Sequence, residues 1–479
     1  MRVCSAAAGE RCRFDIAWIW GTLVLVLTGC VGYQPAPLEL QRSADQFAGR
    51  RLDSVQFRDE LTRVLPQAVT SWPPQQWDRG ELLAVALVSN PQLAVARAEV
   101  NAALAHQVTA AEKPNPDLTL QSEYSRQEMH PWLYGLSLNW LLLSTQRLRL
   151  QEETARLGTL NMRLKLMEQT WAIRRELVAA LSDWEGTRRR LALLQELAGA
   201  QDRLIVLEQK RVSAGEDPPS EFVTAEQARI EIEQQLAQIR AAVEVAEAAA
   251  ARALGFPPQT LDGVTFTWAD WGAPPPVGEE ERREARERAL LSRADLGVAI
   301  GEYAIAETGL KLAVARQYPQ FTLGPGYYWD HGIAKFPLDV GFTLPINRNK
   351  GEIAEARAAR ELAGKRLLAL QADIFGEIAA AERAEASARA STDSAEGQLE
   401  TARRQAAQVD LSLRLGASDQ REQVGAKVLT LRAELEVLES RSQLQAARNS
   451  LEDVLHAPLS GPELGLAQSS YREPAGAGS

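Results

Sequence analysis

Histidine, methionine and cysteine are scarce in this 479-residue chain, at four, four and three residues. So few soft ligands leave no basis for a cysteine- or histidine-rich metal centre or a haem protein. The cysteines (Cys4, Cys12 and Cys30) all fall within the first thirty positions, which leaves no disulfide framework for a folded body. Basic residues are outnumbered, 53 Lys and Arg against 63 Asp and Glu, for a formal charge of −10. That balance excludes a nucleic-acid binder, which needs a basic face to displace phosphate counterions. Aromatics are only 6% of residues. After the N-terminus every apolar run meets charge well before the length of a membrane helix. Catalytic constellations are missing as well. His106, His130, His331 and His456 lie far apart with no ligand spacing, and Gly364-Lys365 lacks the upstream glycine of a phosphate loop. No enzyme, cofactor or metal site is expected.

What is present begins with an export leader. Arg2, Arg11 and Arg13 precede an apolar run from Ile16 to Leu27, too short to span a bilayer. It ends in Leu27-Thr28-Gly29-Cys30, which resembles the lipobox of bacterial lipoproteins. The resemblance implies cleavage after residue 29, lipidation of Cys30, and, with Val31 next, sorting to the outer membrane. Residues 30–78 are then a lipid-anchored N-terminal segment.

The rest of the chain reads as a duplication. Residues 93–120 align without gaps to 296–323 with nine of 28 positions identical, including Glu99/Glu302 and Pro116/Pro319. Gly215, Glu221, Val223 and Arg240 recur at nearly the same offset as Gly416, Glu422, Val424 and Arg441. The repeats are assigned to 79–256 and 282–457, joined by a Pro/Gly-rich linker at 257–281 and followed by a flexible tail at 458–479. Proline is absent from 132 to 217 and from 346 to 457. Such gaps permit very long helices, predicted over 147–213 and 349–414 at roughly 100 Å each. Gly-containing turns then return the chain through helices 220–254 and 420–455, giving two antiparallel hairpins. Coiled-coil-like seams run through Leu160, Leu164, Met167, Trp171, Val178 and Leu181, and through Val428, Leu431, Leu435 and Leu438.

Before each long helix, two segments alternate with period two: about 117–125, 132–142, 319–330 and 336–347. One face is bulky and apolar (Trp132, Tyr134, Leu136, Leu138, Trp140), the other small or polar (Gly135, Ser137, Asn139). Ten of the 29 aromatics lie in these runs. Each run has the length of a tilted strand crossing a bilayer, and aromatic girdles mark outer-membrane barrels. Pro325, Pro337 and Pro345 sit awkwardly in such strands. Four strands cannot close a barrel, and lipid tolerates no open edge, so the chain must oligomerise. The expected fold is mainly α with a small β membrane part. It is a duplicated strand–helix unit giving four strands per chain to a trimeric twelve-stranded outer-membrane barrel, continued by a long α-helical barrel.

With Asn90-Pro91-Gln92-Leu93, Ser292-Arg293-Ala294-Asp295-Leu296, the strand pairs and the turns at Gly215 and Gly416, the chain resembles the TolC family of outer-membrane efflux channels over about 80–457. Ala294 stands where many relatives have proline. The stretch from Leu344 to Ile353 looks like the corresponding segment of the heavy-metal, CzcC/CusC-like branch. The resemblance implies a passive exit duct: a homotrimer in outer-membrane lipid, joined by a periplasmic adaptor to an inner-membrane pump of the RND type. Heavy-metal cations are then the expected cargo. Type I protein secretion, multidrug efflux, and a non-conducting coiled-coil lipoprotein are the alternatives.

The site expected to matter is the periplasmic tip. Glu221 and Glu422 each lie six residues after a turn glycine, so a trimer gathers six carboxylates near the tube mouth. With Asp217, Asp419, Arg414 and Arg421 they are read as a cation-attracting, pH-sensitive gate. Gly215 and Gly416 are read as left-handed turns and adaptor docking points. An acid in the first turn of a helix is also favoured for local reasons alone.

Overall fold

The structure, a computed structural model, describes residues 32–64 and 72–464. Cys30 and its leader lie outside the described residues. Among the described residues, the N-terminal unit, up to Gly49, has the short helix α1 (Leu40–Ala48).

The remainder forms one compact unit. It opens with α2 (Val55–Val64), α3 (Arg79–Ser89) and α4 (Pro91–Ala111). Asp78 and Glu81 close a reciprocal capping box on α3. Asn90 caps α4 through the Gln92 N–H, with Pro91 in the first turn, where its missing donor costs nothing. Two strands follow, β1 (Asp117–Tyr124) and β2 (Trp132–Leu142), then α5 (Thr145–Ala214) and α6 (Pro219–Leu254). The same order recurs in α7 (Glu279–Ser292), α8 (Ala294–Ala315), the strands β3 (Phe321–Asp330), β4 (Ile333–Lys335) and β5 (Leu338–Phe342), and the helices α9 (Lys350–Arg414) and α10 (Gln420–Leu455). The 70-residue α5 and 65-residue α9 occupy the two proline-free gaps.

The fourth expected strand is broken. β4 and β5 both pair with β3, and Phe336-Pro337 separates them. Pro337 still accepts a hydrogen bond from the Gly326 N–H at 2.9 Å but has no N–H to return, so the ladder lapses there. The ladder ends at Phe342, well short of 347, because Pro345 follows. Pro325 is accommodated inside β3: pairing with β2 skips it and resumes unshifted at Leu323 opposite Trp140. The sheet runs β1-β2-β3 with β4 and β5 sharing the far edge, all antiparallel.

One sheet face carries Leu120, Tyr134, Leu136, Trp140, Trp329 and Val340, all exposed in the isolated chain. On the other face the Tyr328 ring lies over Gly135, where a Cβ would come within 2.2 Å of it. Aromatics gather at the two ends of the strands. Tyr124, Trp132, Tyr134, Tyr327, Trp329 and Phe336 stand at the loop end, and Trp140, Phe321 and Phe342 at the helix end. Tyr134 and Trp140 are six residues apart, roughly 20 Å along a strand.

Three buried clusters hold the helices. One joins Leu61, Leu82, Leu177, Leu181, Leu254 and Trp271; a second joins Leu194, Ile232, Leu236 and Leu431; a third joins Leu296, Ile374, Ile378 and Leu451. Each leucine so buried contributes about 2–3 kcal/mol. The seam residues Val178, Leu181, Val428 and Leu431 are buried, whereas Leu160 is exposed in the single chain.

The linker and the start of the tail expected to be flexible are both packed. In the linker, Leu261, Phe266, Trp268 and Trp271 are buried, and Trp77 exchanges backbone hydrogen bonds with Thr265 and Thr267. The start of the expected tail is a correction. Glu463 is 1% exposed, pairing with Arg79 at 2.8 Å and Arg174 at 2.6 Å, and the Ser460 carbonyl accepts from Arg79. Arg174 also reaches Glu452 at 2.5 Å. A buried charge is tolerated only when paired, and these charges hold residues 460–463 in place. Residues 465–479 lie outside the described residues.

Candidate functional site

The two hairpin tips come together as one charged cluster. α5 ends in a left-handed turn at Gly215 (φ +75°), where the Glu216 N–H bonds back to Arg211 O and the Gly215 N–H to Val212 O. α9 ends the same way through Gly416 (φ +75°), with Ala417 N–H to Ser412 O. Only glycine adopts this conformation without steric cost, so the hairpin geometry depends on both positions. Pro218-Pro219 starts α6 with a fixed φ, and Asp419 caps α10 by accepting from the Glu422 N–H at 2.9 Å.

The expected residues meet here, organised by two others that the sequence reading missed. Arg211, in the last turn of α5, pairs with Asp217 at 2.5 Å and with Asp419 of the other hairpin at 2.7 Å. Glu208, one turn earlier and buried, receives Arg421 at 2.6 Å; Arg421 also lies 3.7 Å from Glu221. Glu422 accepts from the Ser418 hydroxyl. Arg414 lies in the last turn of α9. The Arg211 guanidinium, by its hydrogen bond above all, holds the Asp217 carboxyl below the usual carboxylate range. Within one chain the carboxylates are thus largely paired rather than bare. Among the nine tip residues Glu208, Glu216, Asp217, Glu221, Asp419, Glu422, Arg211, Arg414 and Arg421, acids still outnumber arginines two to one. Arg211 and Glu208 were legible in part: a basic residue in the final turn, six positions before an acid beyond the glycine, is a helix-end pair.

Beside the tip, a groove of about 370 Å³ opens between α5 and α10, lined by Val206, Leu207, Gln423 and Val424. At the opposite end of the molecule, His331 sits in the β3–β4 turn with Nδ1 2.6 Å from Asp330, and the His130 ring lies against Gly332. Cys30 lies outside the described residues. Among the described residues no helix is long and apolar enough to cross a membrane.

Comparison with known proteins gives this geometry a setting. Residues 82–256 match the family model described as outer membrane efflux protein. That family is one of channels, not enzymes. The chain is 25% identical over 367 residues to the multidrug resistance outer membrane protein MdtQ of Escherichia coli O6:H1, covering 68% of this chain and 72% of that protein. Among solved structures, CusC superposes with a TM-score of 0.65 at 16% identity, covering 82% of this chain and 96% of its own. The outer membrane protein VceC of Vibrio cholerae superposes with a TM-score of 0.63 at 17% identity, covering 80% and 97%. The fold is that of these outer-membrane channel proteins, a largely helical chain with a small sheet.

Proposed function

We propose that the chain is one protomer of an outer-membrane efflux channel, a passive duct built by three copies. The observation that carries this reading is the sheet. Its apolar face, with Leu120 76% exposed and an aromatic band at each end, has no partner among the described residues, and among them both sheet edges are open. In lipid such a face is at home, but such edges are not. Three copies pair edge to edge, hide every open strand and leave a water-filled lumen. The hairpins α5–α6 and α9–α10 then continue the barrel into the periplasm. Cys30 anchors each copy to the outer membrane.

The two tips meet an adaptor: the groove beside Val206 and Val424 and the turns at Gly215 and Gly416 receive its helical hairpin. An inner-membrane pump of the RND type supplies the energy. Glu221 and Glu422, with Asp217, Asp419, Arg414 and Arg421, form the gate, and the acidic excess favours cations. The Leu344–Ile353 segment supports heavy-metal cations as cargo. The likeness to a protein named for multidrug resistance supports drugs as the second reading.

Membrane fractionation, heat-sensitive trimer formation and export assays test the proposal. A strain lacking the protein should become sensitive to copper, zinc or cobalt with drug tolerance unchanged. Sensitivity confined to drugs would favour the second reading, and a monomeric soluble protein would end both.

A further inference from the structure

Three residues that are remote in sequence converge where α5, α8 and α10 meet. Glu168 comes from α5, Asp295 from the first turn of α8, and His456 ends α10. One oxygen or nitrogen from each lies within 4.8 Å of the other two. The His456 side chain is 93% buried, since only 7% is exposed, and its Nδ1 has no hydrogen-bond partner. Neither has Glu168 Oε2, which faces it at 4.0 Å. That separation is too long for a hydrogen bond. Two donors held at about 2.0–2.2 Å by one tetrahedral ion stand about 3.3–3.6 Å apart, so a side-chain movement of about half an ångström would let a single ion bridge the pair.

The surroundings fit a ligand set. Arg293 holds the Asp295 carboxylate through two hydrogen bonds, at 3.1 and 2.7 Å, and also donates to Val454 O at 2.7 Å. Its charge is therefore committed, and it orients Asp295 from behind as an outer partner orients a ligand. Arg175 is engaged by Asp453 at 3.2 Å, and the Trp171 ring packs against the imidazole at 5.2 Å. Burial, with the positive charge of Arg293, pushes His456 down to about 4, so the imidazole is neutral near neutral pH. A neutral imidazole with two carboxylates is a donor set for a divalent first-row metal.

The backbone at this corner points the same way. The turn that ends α6 is made by Gly255 at φ +83°, with Gly255 N–H to Arg252 O and Phe256 N–H to Ala251 O. The turn that ends α10 has the same two bonds, His456 N–H to Asp453 O and Ala457 N–H to Glu452 O. Here a histidine occupies the left-handed position at φ +48°. Glycine would meet less steric cost at this position.

We infer that Glu168, Asp295 and His456 form a binding site for one divalent transition-metal ion per chain. The site stands apart from the tip, and the inference holds or fails independently of the channel reading and its cargo.

The test is Co²⁺ titration of the detergent-purified full chain, followed by visible absorption and by metal analysis after dialysis. One equivalent per chain is expected. H456G and E168Q should weaken uptake by about tenfold or more. H456G suits the left-handed backbone and is expected to fold, and E168Q keeps the side-chain shape. The triple variant H106Q/H130Q/H331Q should bind like the wild type. X-ray absorption on the Co²⁺-loaded triple variant should report one imidazole among oxygen donors. No stoichiometric uptake, uptake unchanged in H456G and E168Q, or a first shell without imidazole would overturn the inference.

Discussion

Arg211 reaches Asp419 at 2.7 Å across the gap between the two helical hairpins, while its Nε holds Asp217 at 2.5 Å. One guanidinium therefore ties the end of α5, the start of α6 and the start of α10 together. Replacing it with glutamine removes both charge-assisted bonds and leaves Asp217 and Asp419 to repel each other. R211Q is expected to loosen the tip and raise single-channel conductance severalfold, with trimer formation unchanged. Planar-bilayer recording checks this; wild-type conductance would assign the pair no part in closure.

The excess of acids at the tip predicts a preference for cations. The double variant E221Q/E422Q keeps the shape of both side chains and removes two charges per chain. Reversal potentials in a salt gradient should shift toward a non-selective pore, with the conductance change smaller than in R211Q. An unchanged reversal potential would assign the two carboxylates to helix capping alone.

Gly215 and Gly416 make left-handed turns with open space where a Cβ would stand. The cost of alanine there is purely conformational, about 1 kcal/mol per site. G215A/G416A should leave the barrel intact and increase proteolytic cleavage between the paired helices. Wild-type resistance at both tips would mean that the turn geometry is not limiting.

His456 makes one corner of the fold sensitive to acid. Its pKa falls from 6.5 to about 4 on folding, chiefly because it is buried. As pH drops below about 6.5, the unfolded chain takes up a proton that the folded chain refuses. Stability is therefore full above that pH and declines until about 4, where the folded state protonates too. The loss is on the order of 3 kcal/mol. Thermal unfolding of the metal-free protein from pH 7.5 to 4 should show this slope, and H456G should flatten it.

The sheet face makes the sharpest structural prediction. Leu136 stands near the middle of the exposed apolar face, and Ser137 points the other way. L136R should cost about 2–4 kcal/mol in the membrane, while S137R should be far milder if, as proposed, that face lines the lumen. The yield of trimer in outer-membrane fractions measures both; equal yields would place the two faces in the same medium.

The long helices and their hairpins could be read from the chain because proline and glycine are local signals. The gaps at 132–217 and 346–457 leave room for α5 (Thr145–Ala214) and α9 (Lys350–Arg414), and Gly215 and Gly416 sit at the turns that end them. The alternation of Trp132, Tyr134, Leu136 and Trp140 likewise gave away β2. The break at Pro337 escaped because a proline that costs one donor still leaves its carbonyl in the ladder. The charged interior escaped for a different reason. Arg79 and Glu463, or Arg174 and Glu452, are brought together only by tertiary packing, and no spacing rule reaches so far. Glu168, Asp295 and His456 belong to the same class. At the tip, the acids were visible from their place after each glycine, but the cations that neutralise them, Arg211 and the Arg421–Glu208 bridge, depend on how the two hairpins lie side by side.

Closure of a barrel around an aqueous path by three copies of this chain is tested most directly by planar-bilayer recording of the purified protein, paired with its mass in detergent. Stepwise, ohmic conductance from a species of three chains is expected, lost when heating releases the monomer. A monomer in detergent that leaves the bilayer silent would contradict it.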